Sequence, residues 1–165
     1  MKLLPLFAVA LLFQITGSSR AEDAKPAAKT PTQEELEAKF TETLTKATMA
    51  GRWCPLQDGV MGPEKEDKYT IVGVKKVSGD DWVISARIQY GSRDVVAPIP
   101  VQVKWAGDTA VIIVNQLQMP TGGSYSARVL VHEHTYAGSW SGVGHAGLLN
   151  GVITNEAAPA SAGAK

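Results

Sequence analysis

The three histidines of the chain, His132, His134 and His145, fall close together near its end. His132 and His134 alternate around Glu133, so on a β-strand both rings point to one face, roughly 7 Å apart by strand rise. Neutral imidazoles so placed can share a Zn²⁺, with His145 returning on the neighbouring strand as a third ligand. The string His132-Glu133-His134-Thr135 also reads as the polar tip of a hairpin, in which case it holds nothing. Both readings stay open at the level of the sequence.

The aromatic residues are the second candidate group. Trp53, Trp82, Trp105 and Trp140, with Tyr69, Tyr90, Tyr125 and Tyr136, are spread through the chain. Such rings can line a pocket or stack on a sugar or an apolar ligand, and they can equally fill a core. Trp140, flanked by Ser139 and Ser141 in a glycine-rich stretch, is the ring best placed to face a ligand, with Tyr136 beside it on the same strand face.

Catalytic patterns are missing. Gly142-Val143-Gly144-His145-Ala146-Gly147 spells a dinucleotide-binding string, but that motif works only between a strand and a helix that receives the pyrophosphate. Its surroundings here read as antiparallel strands, so no cofactor is expected. In Gly138-Ser139-Trp140-Ser141-Gly142 the central residue is Trp140, so there is no nucleophile elbow. Glu64, Glu66 and Asp67 share a stretch with Lys65 and Lys68 that reads as a solvated connection. Asp80, Asp81 and Asp108 sit in turn-like strings, where Asp caps local backbone. No two carboxylates suggest a glycosidase pair. The chain reads as a binder rather than an enzyme.

The elements that must position these residues are mostly strands. Trp82, Ile84, Ala86, Ile88 and Tyr90 alternate with Val83, Ser85, Arg87 and Gln89, the period of a strand with one apolar face. Val101, Val103 and Trp105 repeat the pattern, as do Tyr125, Ala127, Val129 and Val131. Val111 to Val114 is continuously apolar and reads as covered on both faces. Turn strings separate these runs: Ser78-Gly79-Asp80, Gly91-Ser92, Ala106-Gly107-Asp108 and Pro120-Thr121-Gly122-Gly123. The spacing predicts about eight strands, near 51–56, 68–77, 81–90, 98–105, 109–118, 124–132, 135–140 and 146–154. The fold class is therefore mainly all-β, an antiparallel meander. Closure into a small barrel is expected, helped by bends at Gly138, Gly142, Gly144, Gly147 and Gly151, with a two-sheet sandwich as the alternative.

One helix precedes the strands. Thr32 followed by Glu35 is a capping box. Leu36, Phe40, Leu44 and Ala47 form a stripe, and Gly51 is a plausible stop.

The termini read differently. Met1-Lys2, an apolar run from Leu3 to Ile15 and Ser19-Arg20-Ala21 make residues 1–21 a secretory signal peptide. Residues 22–30 read as a flexible spacer, 31–155 as the folded domain and 156–165 as a disordered tail. The expected location is periplasmic or extracellular, with no transmembrane span after cleavage. Lys+Arg and Asp+Glu are equal at 16 each, and losing Lys2 and Arg20 leaves acidic groups in slight excess. That excludes a nucleic-acid partner, which would need a basic face. Cys54 is the single cysteine, so no intramolecular disulfide forms, and a buried thiol is expected.

Two resemblances bear on this reading. Gly51-Arg52-Trp53, following a helix and opening a strand, resembles the G-x-W of lipocalin and related calycin barrels, and Tyr136-Ala137-Gly138-Ser139-Trp140 looks like their Gly/Trp strands. That resemblance implies a small-molecule cavity with Trp53 at the barrel floor. A longer string, including Ala86-Arg87-Ile88-Gln89-Tyr90-Gly91, Pro98-Ile99-Pro100-Val101, Lys104-Trp105-Ala106-Gly107-Asp108-Thr109 and Ser126-Ala127-Arg128-Val129, is similar to small exported bacterial proteins without an assigned function. The expected partner is a small or extended ligand. The alternative is an envelope protein docking on a sheet face or on the helix.

Overall fold

The computed structural model describes residues 29–90, 93–118 and 122–155, the side chains of 88–90 and 93 excepted. The expected leader and tail, nearly all of the spacer, the Gly91-Ser92 turn and the Pro120-Thr121 half of another turn lie outside the described residues. Within them the chain forms α1 (Gln33–Leu44) and nine strands. These are β1 (Ala47–Gln57), β2 (Val60–Met61), β3 (Lys65–Ser78), β4 (Asp81–Tyr90), β5 (Arg93–Ala106), β6 (Thr109–Gln118), β7 (Ser124–His132), β8 (Thr135–Gly142) and β9 (His145–Asn155). From β3 to β9 each strand pairs with the next, and β9 pairs back onto β1, closing an eight-stranded antiparallel barrel to which β2 adds a short flap. The barrel, not the sandwich, is the architecture.

Closure follows from the alternation of side chains. Ala47 and Met49 of β1, Ile84 and Ala86 of β4, Val101 and Val103 of β5, Ile112 and Val114 of β6 and Leu149 and Ile153 of β9 are all buried in one cluster. Their sequence neighbours point outward, where Arg87 pairs with Asp94 across β4 and β5. The buried cluster is apolar and most charges point out, with Lys65 and Asp67 of β3 the exceptions on the inward face. An eight-stranded barrel is just wide enough for its own side chains to fill, and this one is filled through its centre. The run Val111 to Val114 is not covered on both faces. Ile112 and Val114 are buried, while Val111 and Ile113 lie half-buried on the outer wall.

The helix stoppers one end. Thr32 accepts from the Glu35 N–H and the Glu35 carboxylate accepts from the Thr32 N–H, so the capping box forms as expected. Leu36, Phe40 and Leu44 are the buried residues of α1. Phe40 stands edge-on to Trp82 at 5.4 Å and to Trp105 at 6.1 Å. Burying each such side chain stabilises by roughly 1.5–3 kcal/mol. The Glu37–Lys76 pair at 2.6 Å lies at the surface and contributes only about 0–1 kcal/mol, so packing holds the helix. It ends at Leu44, well short of Gly51. Lys46 turns the chain with a φ of 55°, and Ala47 to Trp53 are held by β9 on one side and β3 on the other. Ala47 suited both patterns, and pairing on two edges decided for the strand.

The wall has one open seam. β5 pairs with β6 only from Gln102↔Ile113 to Ala106↔Thr109. Beyond that, β5 pairs only with β4, as far as Arg93, and β6 only with β7, as far as Gln118. The cause is in the sequence. Val103 donates to the Asp80 carbonyl, so odd-numbered residues of β5 turn their backbone groups to β4 and even-numbered ones to β6. Extending the register to β6 would require N–H donors at residues 100 and 98. Both are proline, which has none. The bulge between Val114 and Leu117 bends β6 at the same level.

Candidate functional site

Opposite the helix the barrel opens on an aromatic rim. Trp140 of β8 lies at its centre. Tyr125 stacks on it at 6.2 Å and 19°, Trp53 meets it edge-on at 5.6 Å, and His145 at 5.4 Å. Trp53, Tyr125 and Trp140 are each partly exposed and His145 is exposed, unlike Phe40 and Trp82 at the helix end, both buried. Glycine makes room for them. A Cβ on Gly147 would come within 2.7 Å of the Trp140 ring and 2.5 Å of the Cys54 carbonyl, and one on Gly151 within 2.7 Å of the Tyr136 ring. Besides the bends expected of them, Gly147 and Gly151 leave room for aromatic rings against the inner wall.

Deeper in the mouth lies a polar group. Tyr136, Gly151, Gly51 and Asp67 are successive cross-strand partners on β8, β9, β1 and β3. Direct partners share a face, so Asp67 points into the barrel as Tyr136 does. Tyr69, two residues on and opposite Met49, shares that face. Among the described residues neither the Tyr136 hydroxyl nor Asp67 Oδ2 has a hydrogen-bond partner, and both atoms are buried. Tyr136 as a whole is 2% exposed. Burial, then the Asp67 charge, pushes the Tyr136 phenol up to about 12. The same causes raise Tyr69, whose phenol is held further up by the adjacent Asp67 carboxylate, and Tyr125. All three hydroxyls therefore remain protonated donors near neutral pH. At the rim the Lys65 ammonium lies 4.9 Å from the Trp53 ring centre, a cation–π contact.

The sequence candidates distribute unevenly around this site. Trp140 stands in it, and Tyr136 forms its inner wall. Trp53 lies at the end away from α1, among the rim aromatics. His145 joins Trp140, with Nδ1 2.7 Å from the Val143 carbonyl. His132 and His134 are elsewhere. They belong to the β7–β8 hairpin at the helix end, where His132 Nε2 lies 3.6 Å from Asp108 Oδ1 and the His134 carbonyl accepts from Ile153. Thr135 of that hairpin faces Val152, which is roughly 23 Å along β9 from His145 at strand rise. The three histidines do not converge. Among the described residues no three His, Cys, Asp or Glu side chains are placed to hold a metal ion.

Tyr69 belongs to the aromatic candidates of the sequence, whereas Asp67 and Lys65 do not stand out there. Asp67 was assigned to a solvated connection because it sits among charges. The alternation Lys65, Asp67, Tyr69, Ile71 carried the inward face, hidden by Glu64, Glu66 and Lys68 between them. Away from the mouth, a depression of about 610 Å³ lies on the outer wall over β7, β8 and β9. Leu130 and Val152, 46% and 53% exposed, line it.

No family model, curated protein or solved structure matches the chain.

Proposed function

We propose that the chain is an exported, non-catalytic binding module that holds its ligand at the barrel mouth. The observation that carries this reading is the cluster of partly exposed Trp53, Tyr125 and Trp140 with exposed His145, standing over Asp67 Oδ2 and the Tyr136 hydroxyl, two buried atoms without a hydrogen-bond partner among the described residues. A packed centre leaves no room for an engulfed ligand, so recognition belongs at the rim and along the adjoining seam. A calycin-like ancestry fits a helix-led closed barrel whose first strand, β1, carries Gly51-Arg52-Trp53 at its middle. The test is two-dimensional NMR of the full chain against a broad small-molecule library. Binders should shift the Trp53 and Trp140 indole signals and the Leu117 amide together. A library that leaves those signals still would sink the reading.

The alternative is docking of an envelope protein on the depression over β7, β8 and β9, favoured by the exposed Leu130 and Val152. Replacing both with Ser would then abolish co-purification of that partner while leaving the mouth unchanged.

A further inference from the structure

We infer that the mouth recognises a neutral carbohydrate, one sugar ring stacking on the Trp140 and Trp53 aromatics while its hydroxyls reach the inward row of β3 that is open at the rim, the exposed Lys65 and Tyr69 and the half-buried Asp67 between them. The inference rests on the mouth being the binding site and adds the class of ligand.

The chemistry of the mouth excludes the other classes in turn. A purely apolar ligand would strip water from the exposed Lys65 ammonium and Tyr69 hydroxyl with nothing to bond in its place, which costs on each group. An anionic ligand would meet the Asp67 carboxylate, whose field already reaches the Tyr69, Tyr125 and Tyr136 phenols. A cationic ligand would meet the Lys65 ammonium, which already covers the Trp53 face. Lys65 and Asp67 together leave the site without net charge.

What remains is a neutral molecule with an apolar face and groups that both donate and accept. A pyranose has this character: axial C–H bonds on one face and hydroxyls around the edge. Each side of it has a counterpart here. Trp140 and Trp53 present π surface at 69° to one another, Asp67 accepts, and Lys65 and the tyrosines donate. Along the row Tyr136, Gly151, Gly51 and Asp67 the two intervening residues carry no side chain. The Tyr136 ring lies over Gly151 in that row. The gap between β5 and β6 adjoins Tyr125 through Leu117 and gives a linear oligosaccharide a way to run out of the mouth.

The experiment titrates the full-length protein with three probe sets: neutral gluco- and N-acetylgluco-oligosaccharides, tetramethylammonium, and a straight-chain fatty alcohol. Tryptophan fluorescence and the indole and His145 ring NMR signals are followed. At least one oligosaccharide should saturate these signals. Asp67→Asn should weaken its binding roughly tenfold or more, the loss of a charge-assisted hydrogen bond, with Trp140→Ala at least as severe. Tyr69→Phe should weaken binding by removing an accessible donor, and Ser139→Ala on the outer wall should change nothing. Saturation by tetramethylammonium or the alcohol but by no sugar would overturn the carbohydrate assignment and leave the mouth as a site. Silence from all three sets would overturn the carbohydrate assignment, and only silence across the wider library would overturn the site.

Discussion

A phenol hydroxyl packed into an apolar wall without a partner is a cost that the free protein carries. For Tyr136 that hydroxyl is buried and unpaired, so removing it should not destabilise. We expect Tyr136→Phe to leave the urea midpoint unchanged or raise it by up to about 1 kcal/mol of stability; a loss of that size would mean that the hydroxyl is bonded. The tyrosines also set an alkaline limit. The folded Tyr136 pKa lies near 12, above the roughly 10 of an unfolded phenol. A raised pKa gives stability that is whole below the unfolded value and is lost as pH climbs through the folded one. Ultraviolet titration should therefore show phenolate absorbance lagging that of denatured protein from about pH 10 to 12. Phenolate appearing in step with the denatured chain would refute this. At this scale the sequence was a partial guide. Trp140 and Tyr136 stood out from their glycine-rich strand, whereas Asp67 did not, because its inward direction depends on pairing with Gly51 and no local pattern encodes a partner's register.

The strands themselves were the most readable elements, since alternation is local and burial reinforces it. The helix start was equally clear from Thr32 and Glu35. Its end was not, because Ala47 to Trp53 took their strand conformation from neighbours distant in sequence. The seam between β5 and β6 was visible as Pro98-Ile99-Pro100 but acquired meaning only with the hydrogen-bond phase of β5. If the prolines hold the seam open, Pro98→Val with Pro100→Val should let the ladder run on to Leu117. Amide exchange at Asn115 and Leu117 is then expected to slow by roughly tenfold or more, as opening a paired edge costs of order 1–2 kcal/mol. Unchanged exchange would place the cause in the β6 bulge instead.

For the whole molecule the central fact is closure. A meander pairs each strand with its sequence neighbour, which folds through mostly local contacts. The exception is β1 with β9, joined over ten facing pairs from Ala47↔Asn155 to Leu56↔Ala146. Barrel and strand count were legible because eight alternating runs have few other ways to hide their edges; the packed interior was not, because side-chain volume across a barrel is a property of the assembled wall. Export is tested by mass. Protein recovered from outside the cytoplasm of the producing cell should begin at Glu22, and an intact Met1 there would refute the leader.

Once β9 is zipped to β1, the wall is a ring whose covalent start is arbitrary. Asn155 already touches the helix, its Nδ2 donating to the Glu42 carbonyl at 2.8 Å, which leaves roughly 16 Å of helix between it and Pro31 at 1.5 Å per residue. A glycine-serine tether long enough to run back along α1 from Asn155 to Pro31 would leave the ring intact and allow the chain to be cut at the Ser78–Asp81 hairpin. Such a circular permutant should reproduce the parent's NMR fingerprint everywhere except near the new ends. It would also turn the slowest contact of the parent, the one spanning the whole sequence, into a local one.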